Sequence, residues 1–178
     1  MSVNDLAVGQ PFPVGVNYWP RRKAMYWWKD FEPDEVAEEF DLIARLGLRL
    51  VRLFLLWEDF QPTPDSVSAA ALDDLEVVAD VAAERDLGLD VTFFTGHMSG
   101  PNWAPEWLLG GDEPPPAGRQ VVSGANEDSG NYRNPFSDAM AIAAAELLLR
   151  EVVGRLKDHP GVWAWNLGNE PDNFALPP

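Results

Sequence analysis

The stretch VWAWNLGNEPDN, Val162 to Asn173, decides how the rest of the chain is read. An apolar run carrying two tryptophans stops at a glycine and then delivers an amide, a carboxylate and a proline in succession. A short apolar run bounded by turn residues reads as a buried strand. Val162 to Leu167 is therefore predicted as a strand, with Asn169 and Glu170 just beyond its end. A plainer reading stands beside this one: a residue before proline favours an extended backbone, so Glu170-Pro171 could be a simple strand exit.

Upstream, the same alternation recurs. His159-Pro160-Gly161 breaks the chain before that strand, and behind it Met140, Ala144, Leu148, Val152 and Leu156 fall four apart, as on one helix face. Asn134-Pro135 reads as the start of that helix, amide as N-cap and proline in the first turn. A long Gly- and Pro-rich segment, about 96–133, holds Trp103 and Trp107 and is predicted as a loop. Before it come a strand at Leu89 to Thr95, with Gly88 ending the preceding helix, and that helix itself, with Leu72, Leu75, Val78, Ala79 and Ala82 on one side. LRLVRLFLLW, Leu48 to Trp57, reads as a strand covered on both faces. A helix starting at Pro33-Asp34 places Val36, Phe40, Ile43 and Leu46 inward and stops before Gly47. The first strand is predicted around Pro13 to Trp19.

The order β-α-β-α-β-α-β points to an α/β protein with a parallel sheet. An open doubly wound sheet would carry a Gly-rich phosphate loop after its first strand, where this chain has NYWPRRK. A (β/α)8 TIM barrel is the better fit, but complete barrels run to about 250 residues. These 178 residues are expected to form one domain, 1–178, holding four βα-type strands, the N-terminal half of a barrel.

In barrels, chemistry gathers at the C-terminal strand ends. The four ends here offer Asn17, Tyr18 and Trp19; then Trp57, Glu58 and Asp59; then Gly96 and His97; then Asn169 and Glu170. Arg52 shares a strand face with Leu50, Phe54 and Leu56, where a guanidinium is costly to bury without a carboxylate nearby. Arg52 could be a structural ion-pair partner and His97 a satisfied core histidine. Recurring at matching ends, these groups read as a site.

Composition narrows the chemistry. Acidic residues outnumber basic ones, 29 to 13, for a net charge of −16. Such a field disfavours nucleic acid and anionic membranes. A neutral substrate fits this charge better than an anionic one, though solubility or salt adaptation accounts for the acid excess equally well. The eight tryptophans either fill a large core or suit sugar rings, whose C–H faces pack on flat aromatic surfaces. The absence of cysteine removes disulfides, thiol catalysis and thiolate metal sites. MSVNDLAVGQPFP lacks the features of a secretory signal, so a cytoplasmic protein is expected, with an extracellular one left open. No metal or other cofactor is called for. The only histidines are His97 and His159, and Lys23, Lys29 and Lys157 lie outside the predicted strands, which leaves Schiff-base or metal-dependent barrel chemistry little support.

VWAWNLGNEPDN resembles the fourth-strand signature of the glycoside hydrolase clan A barrels, which ends in Asn-Glu-Pro. LGLRLVRLFLLWEDFQP resembles the second strand of the family-5-like (cellulase and mannanase) members, with an arginine in mid-strand, and His97 falls where they place a histidine after strand three. The likeness covers about Val14 to Asp172. It implies a retaining hydrolase of β-linked glycans or glycosides, with a carbohydrate as partner. Glu170 would be general acid and then base, and Asn169 would hydrogen-bond the sugar 2-hydroxyl. Arg52 would hold the nucleophilic carboxylate ionised, and His97 would line the cleavage subsite. Tyr18, Trp19, Trp57 and Trp103 would be sugar-stacking walls. A general acid of this type needs an apolar surround or a neighbouring carboxylate, which stands about 5 Å away in retaining enzymes.

The family's nucleophile follows the seventh strand, whereas these residues reach only past the fourth. They are expected not to turn over substrate by themselves, as a truncated barrel or as a half that associates through its exposed edges. A non-catalytic carbohydrate-binding half-barrel and a different barrel enzyme are the rival readings.

Overall fold

A computed structural model describes residues 12–98, 100–114, 116–124, 126–128 and 130–176; the N-terminal stretch read for a targeting signal lies mostly outside them, in residues 1–11. In chain order the elements are β1 (Gly15–Asn17), α1 (Pro33–Arg45), β2 (Leu50–Phe54), α2 (Trp57–Phe60), α3 (Ala69–Ala83) and β3 (Gly88–Phe94). Then come β4 (Asn102–Trp103), β5 (Leu109–Glu113), β6 (Val121–Ser123), β7 (Asn126–Asp128), α4 (Ala139–Leu156), β8 (Val162–Gly168) and α5 (Pro171–Phe174). They form two compact units. One comprises the residues up to Phe54, Ala70–Thr92 and Arg155–Asn166; the other comprises Leu55–Ala69, Phe93–Gly154 and the residues from Leu167 on.

The first unit carries the main sheet, of order β1-β2-β3-β8. β1 pairs with β2 and β2 with β3, both parallel, in a register that sets Asn17 opposite Arg52 and Arg52 opposite Asp90. The expected α/β alternation with a parallel sheet is what the chain adopts. Leu53, Val51, Leu89 and Val91 are fully buried, as befits strands covered on both faces. α1 starts with Pro33 in its first turn, with Asp34 and Glu35 beside it to meet the positive helix end and Arg45 at the other end. Val36 and Phe40 face inward as expected, but Leu46 is 77% exposed. Leu46 still donates its N–H to the Leu42 carbonyl as the C-cap of the helix, but the two three-residue steps from Phe40 carry it about 120° round the helix, off the buried face.

α3 buries the expected stripe of Leu72, Leu75, Val78, Ala79 and Ala82. Gly88 does not end that helix. It opens β3, where a Cβ would stand 2.8 Å from the Trp163 Cβ, and the reversal is made by Asp86 at φ +53°. Gly161 has a similar reason to be glycine: a Cβ there would lie 2.1 Å from the Ala79 carbonyl oxygen.

The second unit shows where the reading of 96–133 as irregular falls short. β4 and β6 pair in parallel and β6 and β7 antiparallel, making a three-stranded sheet inside that segment. Strands of two to five residues among prolines and glycines leave no periodicity to read. Trp57 also differs from expectation, lying on α2 rather than at the end of β2. Gln61, fully buried, explains how α2 is held: its Nε2 donates to the Ala144 carbonyl (2.9 Å), and its Oε1 accepts from Trp57 Nε1 (2.7 Å).

On α4 the buried stripe is Ala141, Ala144, Leu148, Val152 and Leu156, with Ala141 in the place expected of Met140. The helix starts later than Asn134-Pro135 suggested. Asn134 Oδ1 accepts from the Phe136 N–H (2.9 Å) in a turn, and the cap is Asp138, whose Oδ1 accepts from the Ala141 N–H (2.9 Å). That bond, with Arg133 assisting against partial burial, holds the Asp138 carboxyl below the usual range. A depressed carboxylate contributes stability above its unfolded value, about 3.9, and loses it as pH falls through the folded value. Asp138→Ala should therefore cost about 1 kcal/mol at neutral pH, with the deficit closing in acid. Urea midpoints of the two proteins at neutral and acid pH check this.

Among the described residues no helix is long and apolar enough to cross a membrane, and no cluster of His, Asp or Glu could hold a metal ion.

Candidate active site

In the second unit, β8 ends at Gly168, and Asn169 and Glu170 follow before α5. Glu170 sits at φ +46°, ψ +56°, in the left-handed region rather than the extended one that a plain strand exit would use. For a residue with a Cβ this backbone costs about 1–2 kcal/mol. Such strain persists where the surroundings over-determine it, and it recurs at functional sites. The Glu170 side chain is 56% exposed, and its Oε2 lies 3.5 Å from His97 Nε2. Asn173 Nδ2, one turn on, donates to the same oxygen at 3.1 Å.

Asn169 is tied to the end of β3 twice. Its backbone N–H donates to the Phe94 carbonyl (3.2 Å), and its side-chain Nδ2 donates to the His97 carbonyl (2.6 Å). His97 is 6% exposed, and its Nδ1 meets Asn102 Oδ1 at 2.8 Å. Asn102 is fully buried and reaches Tyr132 Oη (3.3 Å) through Nδ2. Burial pushes the Tyr132 phenol up to about 12, against the Asn102 bond and with the Glu113 charge. Arg119 Nη2 donates to Asn173 Oδ1 (2.9 Å), so a guanidinium steadies the amide that touches Glu170.

Three residues expected at the site, His97, Asn169 and Glu170, are thus brought together. Trp57 lines an apolar pocket of about 410 Å³ along with Phe94, Phe136, Leu167, Asn169 and Phe174. Its ring is 5% exposed and packs on Phe94 (4.7 Å) and Trp107 (5.1 Å). Trp103 is 8% exposed and donates Nε1–H to the Met98 carbonyl (3.2 Å), so it braces the chain after β3 rather than offering an open face.

The remaining expected residues belong to the first unit. Tyr18 is 4% exposed and packs edge-on against Phe40 (5.0 Å) and Trp27 (5.8 Å), which makes it a core residue and not a sugar platform. Burial, then the Glu39 and Glu35 charges, push its phenol well above the ordinary range. Trp19 is half-buried and stacks on Phe54 (4.6 Å). Arg52 donates Nε–H to Thr92 Oγ1 (2.9 Å), and its guanidinium lies 4.6 Å from the Phe54 ring centre. The carboxylate its burial called for is Asp90, directly opposite in register; burial pushes that carboxyl up while Arg52 and Asn166 pull it down. Asp90, Asn102, Asn173 and Arg119 were missed from sequence. Asn173 alone left a signal there, one helical turn after Glu170.

No protein-family model matches the chain, and no curated protein matches its sequence. Solved structures do. A GH5_18 protein from Streptomyces cattleya, in complex with GlcNAc, is 29% identical over 92% of this chain, with a TM-score of 0.75. An exo-beta-1,4-mannosidase from an Opitutaceae bacterium is 31% identical over 90%, with a TM-score of 0.74. A GH5_18 variant from Bifidobacterium longum, in complex with Manb1-4GlcNAc, is 26% identical over 91%, with a TM-score of 0.75. The chain spans 35%, 25% and 34% of the length of these three proteins, respectively. With four strands in the order β1-β2-β3-β8 and that partial span, its fold is the N-terminal half of a (β/α)8 barrel similar to the family-5-like members of glycoside hydrolase clan A.

Proposed function

We propose that this chain carries the acid/base half of a retaining glycoside hydrolase that removes terminal β-1,4-linked mannose from neutral glycans. The observation that carries the reading is the Glu170 carboxyl, open to solvent just past β8 and 3.5 Å from the His97 ring. The mannosidase and Manb1-4GlcNAc neighbours support the choice of sugar.

In the first step Glu170 gives its proton to the glycosidic oxygen. The C1–O bond breaks, and a carboxylate from outside these residues forms the glycosyl ester. In the second, the Glu170 carboxylate takes a proton from water, whose oxygen attacks C1 and releases the ester. Asn169 donates to or accepts from the 2-hydroxyl, and His97 lines the subsite.

The test joins residues 12–176 to the remaining strands of the Streptomyces cattleya GH5_18 barrel and follows Manβ1-4GlcNAc by proton NMR. The β-anomer of mannose should appear first and mutarotate later. Release of the α-anomer first, or binding with no cleavage, overturns the reading. The 178 residues by themselves should show no Glu170-dependent turnover.

A further inference from the structure

We infer that Asn102 is a positioning residue that fixes the tautomer of the His97 ring, so that a bare Nε2, and not an N–H, faces Glu170. The inference rests on the reading of Glu170 as the acid, and it concerns residues all within the second unit.

Asn102 is fully buried and has no latitude. Its backbone N–H donates to the Gln120 carbonyl at 2.8 Å, and it forms an antiparallel bridge with His97 itself. Its side-chain nitrogen lies 3.2 Å from the Asn173 carbonyl oxygen and 3.4 Å from that of Phe174. Backbone carbonyls only accept, so the amide end that faces them must be the NH₂. Turning the amide over would set oxygen against oxygen in a buried place. The orientation is chemically forced, and Oδ1 is left facing His97 Nδ1 at 2.8 Å. An amide oxygen also only accepts, so Nδ1 must carry the hydrogen. In the neutral ring Nε2 is then a lone pair.

That polarity matters for an acid. A bare Nε2 can accept the O–H of a protonated carboxyl, the form that has a proton to give. An Nε2–H would instead donate to the carboxylate, the form that has none. Asn102 also holds the other neighbour of the carboxyl, because the Asn173 carbonyl it binds belongs to the residue whose side chain donates to Glu170 Oε2. One buried amide therefore sets both groups that touch the acid.

The chain supplies its own control. In the first unit His159 Nδ1 accepts from the Gly161 N–H (3.1 Å), and Nε2 lies 3.1 Å from Asp80 Oδ1, so this ring should carry its hydrogen on Nε2. The two histidines are expected to be opposite tautomers.

Long-range proton–nitrogen correlation spectra of the ¹⁵N-histidine-labelled chain, at a pH about 1.5 units above the ordinary imidazole value of about 6.5, read both rings. His97 should show a protonated Nδ1 and a bare Nε2, and His159 the reverse. In Asn102→Ala the His97 preference for Nδ1–H should be lost while the His159 pattern in the first unit stays. An Nε2–H form of His97 in the unsubstituted chain, or an Asn102→Ala spectrum identical to it, overturns the inference; if Asn102→Ala does not fold, the unsubstituted spectrum decides. No turnover is needed. Failure of the hydrolase reading would show as Glu170-independent chemistry, with the ring pattern untouched.

Discussion

Glu170→Gln in the completed barrel should lower kcat on Manβ1-4GlcNAc by about 10²–10⁴-fold, the usual worth of a positioned general acid. At 1.36 kcal/mol per factor of ten, that is about 3–5 kcal/mol of transition-state stabilisation. Glutamine keeps the shape of the side chain and can still accept from Asn173, but it has no acid proton to transfer. KM should change little, because the lost interaction is made only in the transition state. The leaving group gives the sharper criterion. A sugar alkoxide must be protonated as it departs, whereas a dinitrophenolate needs no help. The loss on the disaccharide should therefore exceed that on a dinitrophenyl β-mannoside at the glycosylation step by at least about tenfold. Equal losses on both substrates would mean that Glu170 shapes the cleft without acting as the acid.

What the sequence could disclose about this site follows the reach of its signals. Asn169 and Glu170 stand out because a strand and a proline bracket them, and a short apolar run bounded by turn residues has little freedom about where it ends. His97 stands out by its place shortly after β3. The roles of Tyr18 and Trp57 were harder to read. Both follow strand-like runs, yet Tyr18 turns into the core against Phe40, and Trp57 begins a short helix, its indole bonded by Gln61, a buried amide no pattern announces. Asn102 is harder still. Its importance comes from partners 5, 30 and 71 residues away, brought together by a sheet whose strands are too short to show any period. The cap of α4 shows the same limit on a smaller scale. Asn134 and Asp138 are both good caps, one turn apart, and the choice depends on which N–H groups the folded loop presents.

Phe40→Ala should destabilise the folded chain by about 3–5 kcal/mol, a large share of the 5–15 kcal/mol that typically holds a domain together. Phe40 is completely buried on α1, and its ring meets the edge of Tyr18 at 5.0 Å, Tyr18 in turn meeting Trp27. Removing it leaves a ring-sized cavity lined by aromatic groups that cannot collapse into it without leaving their own contacts. Leucine fills most of the space, so Phe40→Leu should cost well under half as much. A second readout comes from Tyr18. Its phenol is held high first by burial, so opening the cavity to water should bring its titration, followed by ultraviolet absorbance, down toward the ordinary value of about 10. Leu46 is the contrasting case, since six residues on from Phe40 it stands about 120° round the helix, away from the buried face. At 77% exposure, Leu46→Ala should change stability by no more than about 0.5 kcal/mol. Similar losses for the two alanine variants in urea would mean that α1 turns a different face inward, with Leu46 on it. The packing that places Tyr18 in the core would then be wrong as well.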